Sequence, residues 1–157
     1  MSVLLAKNLR LREISVVGIP ANDDAVILNY NRSTRKMGGI ASVETVDNDT
    51  ELIDLSTMKL DNARLLYFNH NQLGYPIGTI DNVFLSEYNG YRALRFSATI
   101  SKNKVSEDAD RVHKLVSDGT FKYLSIGFLI DARGTIIEEI SDAEAERYGR
   151  TTQRYLT

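Results

Sequence analysis

Apolar and polar positions alternate from Leu9 (Leu-Arg-Leu-Arg-Glu-Ile-Ser-Val-Val-Gly-Ile), and the run ends β-branched near Ile19. That pattern predicts a half-buried strand. Pro20-Ala21-Asn22-Asp23-Asp24 stops it, and Asn22 or Asp23 is placed to cap a short helical turn through residues 25–27. Residues 29–38 are polar, carry Arg32, Arg35 and Lys36, and run into a Gly38-Gly39 pair. Such a composition predicts a flexible connection. Strand patterns return at 39–46, 63–68 and 77–80, with a turn cluster at Asp47-Asn48-Asp49-Thr50. Residues 51–60 read as loop with a short strand or helical turn. Residues 83–88 and 91–100 flank Asn89-Gly90, the strongest short hairpin signal in the chain.

Helical spacing is convincing at one place, residues 106–118. Val105, Ala109, Val112, Leu115 and Val116 share a face, Ser106 is a cap, and Glu107, Asp108 and Asp110 crowd the positive end before Gly119 stops the helix. An apolar strand over 121–130 follows, then a turn at 131–134 and a strand over 135–140. A short helix over 141–147 opens on a Ser141/Glu144 capping box, and a strand over 151–156 comes last. Together these predict an α+β fold: a β-rich single domain, a mostly antiparallel closed or barrel-like sheet, one main helix at about 106–118 and short peripheral helices.

Composition removes several kinds of chemistry. The 157 residues suffice for one domain with a core, and 43% of them are apolar. A net charge of -2 gives no basic field for nucleic acid. With no cysteine there is no thiol nucleophile, disulfide or Cys-ligated zinc, and two histidines do not make a His-rich metal site. No metal and no cofactor are expected, because P-loop, GxGxxG and HExxH patterns are missing. No apolar run approaches the roughly 20 residues of a membrane span. The apolar stretch at residues 1–6 is short, with Lys7 and Arg10 after it, so the chain reads as cytoplasmic.

The remaining candidate for covalent chemistry is a hydroxyl. Ser125 sits inside Phe121-Lys122-Tyr123-Leu124-Ser125-Ile126-Gly127-Phe128, where it is either packed filler or a nucleophile held on a rigid strand. A serine nucleophile needs a base and a third group that fixes the base's tautomer. His70, between Asn69 and Asn71 at a strand end, and His113, on the helix, are the two bases available. Glu13 is a candidate third member, or equally a salt-bridge partner of an arginine.

Several of these stretches share one likeness. Asn69-His70-Asn71 with Pro76-Ile77-Gly78, residues 116–128 (Val-Ser-Asp-Gly-Thr-Phe-Lys-Tyr-Leu-Ser-Ile-Gly-Phe), the start at Gly39-Ile-Ala-Ser-Val, and Leu11-Arg-Glu-Ile-Ser-Val-Val-Gly-Ile-Pro-Ala-Asn22 resemble the prohead maturation proteases of tailed bacteriophages. The resemblance covers most of the chain and rests on the set of motifs together. It implies a serine endopeptidase with the fold of the herpesvirus assemblins. Ser125 is then the nucleophile, His70 the general base and Glu13 the residue that orients His70. Backbone N–H groups, helped by Arg133 or a water, would serve as oxyanion donors. The implied substrates are phage scaffold and major capsid proteins, and the chain itself, inside the immature prohead in the host bacterial cytoplasm. A homodimer or higher oligomer is implied as well, with the helix at 106–118 as a candidate surface.

The order of the motifs departs from the family. The Glu-Ile-Ser-Val motif, which closes the family's domain, here lies in residues 1–28, while 39–157 carry the family's N-terminal and central parts. The chain thus resembles a circular permutation with 29–38 as the join. Permutation implies that Thr157 lies near the first strand; exchange of the N-terminal strand with another subunit is the rival explanation. Two other functions stand beside proteolysis: a catalytically silent capsid-assembly or scaffold-binding protein on the same fold, and an unrelated β-rich binding domain.

Overall fold

Strand 9–19 and helix 106–118 form nearly where their periodicity places them. The computed structural model describes residues 2–61, 63–102 and 107–146. Its elements are β1 (Ser2–Lys7), β2 (Arg10–Val17), β3 (Ile27–Asn31), β4 (Lys36–Val43), β5 (Glu51–Ile53), β6 (Leu65–Phe68), β7 (Gly78–Tyr88), β8 (Tyr91–Ile100), α1 (Glu107–Ser117), β9 (Tyr123–Leu129), β10 (Ile136–Ser141) and α2 (Asp142–Ala145). A 3-10 turn at Leu55–Thr57 follows β5, capped by the Asp54 side chain.

Seven strands in the order β3-β4-β8-β7-β6-β2-β9 make a curled, open sheet, and β10-β1-β5 make a second, three-stranded one. The β-rich, α+β single domain with one main helix is as expected. The two edges of the sheet stay apart except at one place, where β3 and β9 meet at a bridge between Val26 and Tyr123. Ile27 N–H donates to Lys122 O and Leu124 N–H to Ala25 O there, each at 2.9 Å. Past Leu124 the outer edge of β9 has no ladder partner among the described residues.

Inside the curl lies the main core, with Leu11, Ile14, Val16, Leu66, Leu94 and Ile100 among its fully buried members. Ala109, Val112 and Val116 of α1 join it, the face that helical spacing anticipates. A smaller core of Val3, Leu5, Val46, Leu52, Ile140 and Ala145 lies between the second sheet and α2.

Three local expectations differ from the structure, and residues 2–7, for which no element was expected, form a strand. Residues 25–27 are extended, not helical, because their backbone pairs with β9 and β4. Residues 29–38 belong to the β3–β4 hairpin; Asn31 Oδ1 accepts from Ser33 N (2.9 Å) and Thr34 N (3.1 Å), and Arg35 takes a left-handed φ of 59°. Residues 77–80 and 83–88 fuse into the single strand β7, with an irregularity between Ile80 and Asn82. Residues 2–7 form β1, which pairs with β10 and β5. At the β7–β8 turn, Asn89 and Gly90 have φ of 54° and 84°, the two positive values that a type I′ hairpin requires. The strand expected at 151–156, and Thr157, lie outside the described residues.

Candidate active site

β2 runs parallel to β6 on one side and antiparallel to β9 on the other. The N-terminal motif therefore lies between the strand that ends at the histidine loop and the strand that carries Ser125. Within the sheet, β2 lies between the strand that leads to His70 and the strand that carries Ser125.

A bulge decides which way Glu13 points. Leu11 and Ile14 are three residues apart, yet both are 0% exposed in the same core. Strand alternation has period two and cannot achieve this without an extra residue. The register supplies it: Leu11 pairs with Phe128 and Glu13 with Gly127, leaving Arg12 unpaired. Glu13 and Ser15 then face away from the core, opposite Gly127 and Ser125.

The histidine reaches this face through a tight loop after β6. Asn69 and His70 are both left-handed, with φ of 49° and 58°. Asparagine tolerates that region; histidine there is uncommon, and such residues cost about 1–3 kcal/mol each. The bonds that hold the loop include Asn69 N–H to Val16 O (2.9 Å), Gly18 N–H to Asn69 Oδ1 (3.3 Å), His70 N–H to Ser15 Oγ (3.1 Å), Asn71 N–H to Phe68 O (3.0 Å) and Gln72 N–H to His70 O (2.8 Å).

His70 Nδ1 lies 2.5 Å from Glu13 Oε1, and Ser15 Oγ donates to the other carboxylate oxygen at 2.7 Å. An ionised carboxylate only accepts, so Nδ1 carries the proton and Nε2 is left as the basic atom. The Glu13 side chain is 1% exposed and the His70 side chain 41%. The hydrogen bond to Glu13 raises the His70 pKa above its ordinary 6.5; burial opposes this and the carboxylate's charge adds to it. Gly127 makes room for the arrangement, since a Cβ there would strike Oε1 of Glu13.

Ser125 pairs directly with Ser15 and so shares the face of the Glu13–His70 pair. It is half-buried, and no hydrogen bond joins its hydroxyl to His70. Ser125 also borders a cleft at the unpaired edge of β9, with Asn22, Ala25, Ser42, Thr45 and Asp47 around it. Of the expected site residues, Glu13 and His70 are in contact and Ser125 is one strand away. Arg133 is remote: it lies in the turn after β9, whose last residue is already about 13 Å of strand beyond Ser125.

His113, the rival base, is engaged elsewhere. Its Nδ1 lies 2.6 Å from Tyr30 Oη, on the side of the domain where α1 meets the β3–β4 hairpin. Burial lowers its pKa, and the charge of Arg35 lowers it further. Ser15 was not singled out by sequence, though it ties carboxylate and histidine loop together. Its signal was spacing alone: two places from Glu13, it shares that residue's strand face. The described residues contain no cluster of three or more side chains able to hold a metal ion. No helix among them is long and apolar enough to cross a membrane.

Comparison with family models, curated proteins and solved structures finds no match to this chain.

Proposed function

We propose that the chain is a serine endopeptidase of the prohead-protease type, with Ser125 as nucleophile, His70 as general base and Glu13 as the residue that orients His70. The observation that carries this reading is the 2.5 Å contact between His70 Nδ1 and a carboxylate with 1% exposure, on the sheet face that Ser125 shares. A buried carboxylate fixes the imidazole tautomer, so Nε2 is free to take the Ser125 proton and return it to the leaving amine. Hydrogen bonds between catalytic groups are often loose before substrate binds, so a Ser125 without its bond to His70 fits a resting enzyme. The unpaired edge of β9 beside Ser125 offers an extended peptide a ladder to join. The bonds at Val26–Tyr123 support reading the curled sheet as a barrel that closes along β3 and β9. Scaffold and capsid proteins, and the chain itself, are the proposed substrates, inside a phage prohead. The catalytically silent assembly protein is the second reading, and the missing Ser125–His70 bond is what favours it.

Fluorophosphonate labelling, together with assays of self-cleavage and scaffold cleavage, separates the two. The protease reading expects labelling and cleavage by the wild type, both lost in Ser125→Ala with circular dichroism unchanged. A folded wild type that neither labels nor cleaves leaves the silent reading.

A further inference from the structure

The bulge that turns Glu13 outward also turns its neighbour outward. Arg12 is the unpaired residue of β2, and its side chain is exposed on the face of the Glu13–His70 pair. Tyr67, opposite Ser15 in the parallel ladder with β6, and Leu65, two residues before it, share that face. Arg12, Arg64, Leu65 and Tyr67 line a concavity of about 400 Å³. Leu65 is 38% exposed, so the floor is apolar and open to solvent.

The two arginines have no counter-charge among the described residues. Among the described residues neither Arg12 nor Arg64 makes an ion pair or a side-chain hydrogen bond, whereas Arg10 on the same strand is bound to Asp61 at 3.2 Å. Two unpaired guanidiniums over an apolar and aromatic floor suit a planar anion held by forked hydrogen bonds, with carbon packed beneath it. The position limits what that anion belongs to. Glu13, adjacent to Arg12, faces Gly127, two residues from Ser125. One strand spacing and two residues of rise place the Arg12 backbone within about 10 Å of Ser125.

We propose that Arg12 and Arg64 form a subsite that binds a carboxylate of the peptide substrate close to the scissile bond. The inference rests on the endopeptidase reading and names its substrate class: peptides with an acidic side chain, or a C-terminal carboxylate, a few residues from the cleaved bond. The anion is bound by charge and by planar fit, and elevated salt weakens it.

The test is fluorescence anisotropy on full-length Ser125→Ala, which needs no turnover, run beside hydrolysis by the wild type. The probes are three labelled decapeptides: one with a central glutamate and an amidated end, its glutamine counterpart, and the glutamine peptide with a free C-terminus. The glutamate peptide is expected to bind at least tenfold tighter than its amidated glutamine counterpart at low salt. Arg12→Gln or Arg64→Gln should each reduce that preference severalfold, and the double variant should abolish it. If the free C-terminus restores binding and the internal glutamate does not, the subsite takes a terminal carboxylate. Equal binding of all three, insensitivity to both arginine changes, or equal competition by single-stranded DNA overturns the proposal. The two readings fail separately. Arginine-dependent binding without wild-type hydrolysis keeps the subsite and removes the protease; hydrolysis without acidic preference does the reverse. Unchanged circular dichroism of the exposed-site variants guards against a folding artefact.

Discussion

Glu13 Oε1 and His70 Nδ1 lie 2.5 Å apart, one group sealed from solvent and the other 41% exposed at the side chain. The carboxylate is therefore held by protein alone, while the imidazole keeps one nitrogen available for chemistry. Because Glu13 raises the His70 pKa, in the proposed mechanism the base becomes active only as pH rises through a value above 6.5. The acylation rate should climb with pH through that raised value. The sign for folding is opposite: the pair's contribution to stability is fully present below 6.5 and is lost as pH rises through the folded pKa. Glu13→Gln should lower the His70 pKa, seen by NMR titration of its ring protons, and reduce kcat by roughly 10⁴-fold. An unchanged titration in a folded variant would remove Glu13 from the site.

Gly127 is required for space rather than for backbone freedom. In Gly127→Ala the new Cβ must displace the Glu13 carboxylate. Overpacking of this kind costs about 1–3 kcal/mol, and the moved carboxylate should release His70. The expected result is a lower melting temperature together with a His70 pKa below that of the wild type. A variant that retains the wild-type histidine titration would show that the carboxylate has room to spare.

Ser15→Ala should cost about 1–3 kcal/mol, because it leaves the His70 N–H without its acceptor and Glu13 Oε2 without its donor. The left-handed pair Asn69–His70 loses one of the bonds that hold it at the same time. A displacement of the imidazole by an ångström can cost about a hundredfold in rate, so kcat should fall more than KM rises. Steady-state kinetics with urea unfolding checks both; a loss of stability with normal kcat would reduce Ser15 to a structural role.

A second buried carboxyl sets a pH dependence remote from the Glu13–His70 pair. Glu44 is 0% exposed; its Oε1 accepts from Leu55 N–H at 2.9 Å, and its Oε2 lies 3.2 Å from Arg92 Nε without making a hydrogen bond. Burial pushes its pKa up to about 7, against the opposing pull of the Leu55 N–H and of Arg92, with Asp54 adding to the rise. The native state then holds a proton that the unfolded chain releases near pH 4.5, so stability falls as pH rises from about 4.5 to 7. The full effect is of order 3 kcal/mol. Asp47, raised to about 6, contributes a fall of the same sign at lower pH. Comparing Glu44→Gln with the wild type by urea unfolding at pH 5 and pH 7.5 isolates the Glu44 part. The variant should lose less stability on going to pH 7.5; equal losses would refute the assignment.

The parts of this molecule that period and turn chemistry govern were legible in the sequence. Val112 and Val116 marked the buried face of α1, and Asn89-Gly90 marked the β7–β8 hairpin. The β3–β4 hairpin was not, since Leu28, Asn29 and Asn31 leave both faces exposed and give no alternation to read. β1 carried only two fully buried positions, Val3 and Leu5, too few to outweigh its short length. The meeting of the sheet's two edges depended on long-range hydrogen bonds between residues 25–27 and 122–124, which no local pattern reports. At the site, Glu13 and His70 were legible as motif residues, but Ser15 looked like any small hydroxyl in a strand. Its role follows from β2 lying beside β6, a pairing of residues some fifty positions apart.

β2 is one residue longer than the stretch of β9 that faces it, and the surplus residue is Arg12. A chain lacking Arg12 would regain plain alternation from Leu11 to Ile14, with Glu13 still facing Gly127. The sheet can therefore be shortened by one residue without moving the acid. A single deletion would separate a strand that only orients a histidine from one that also presents a cation beside it.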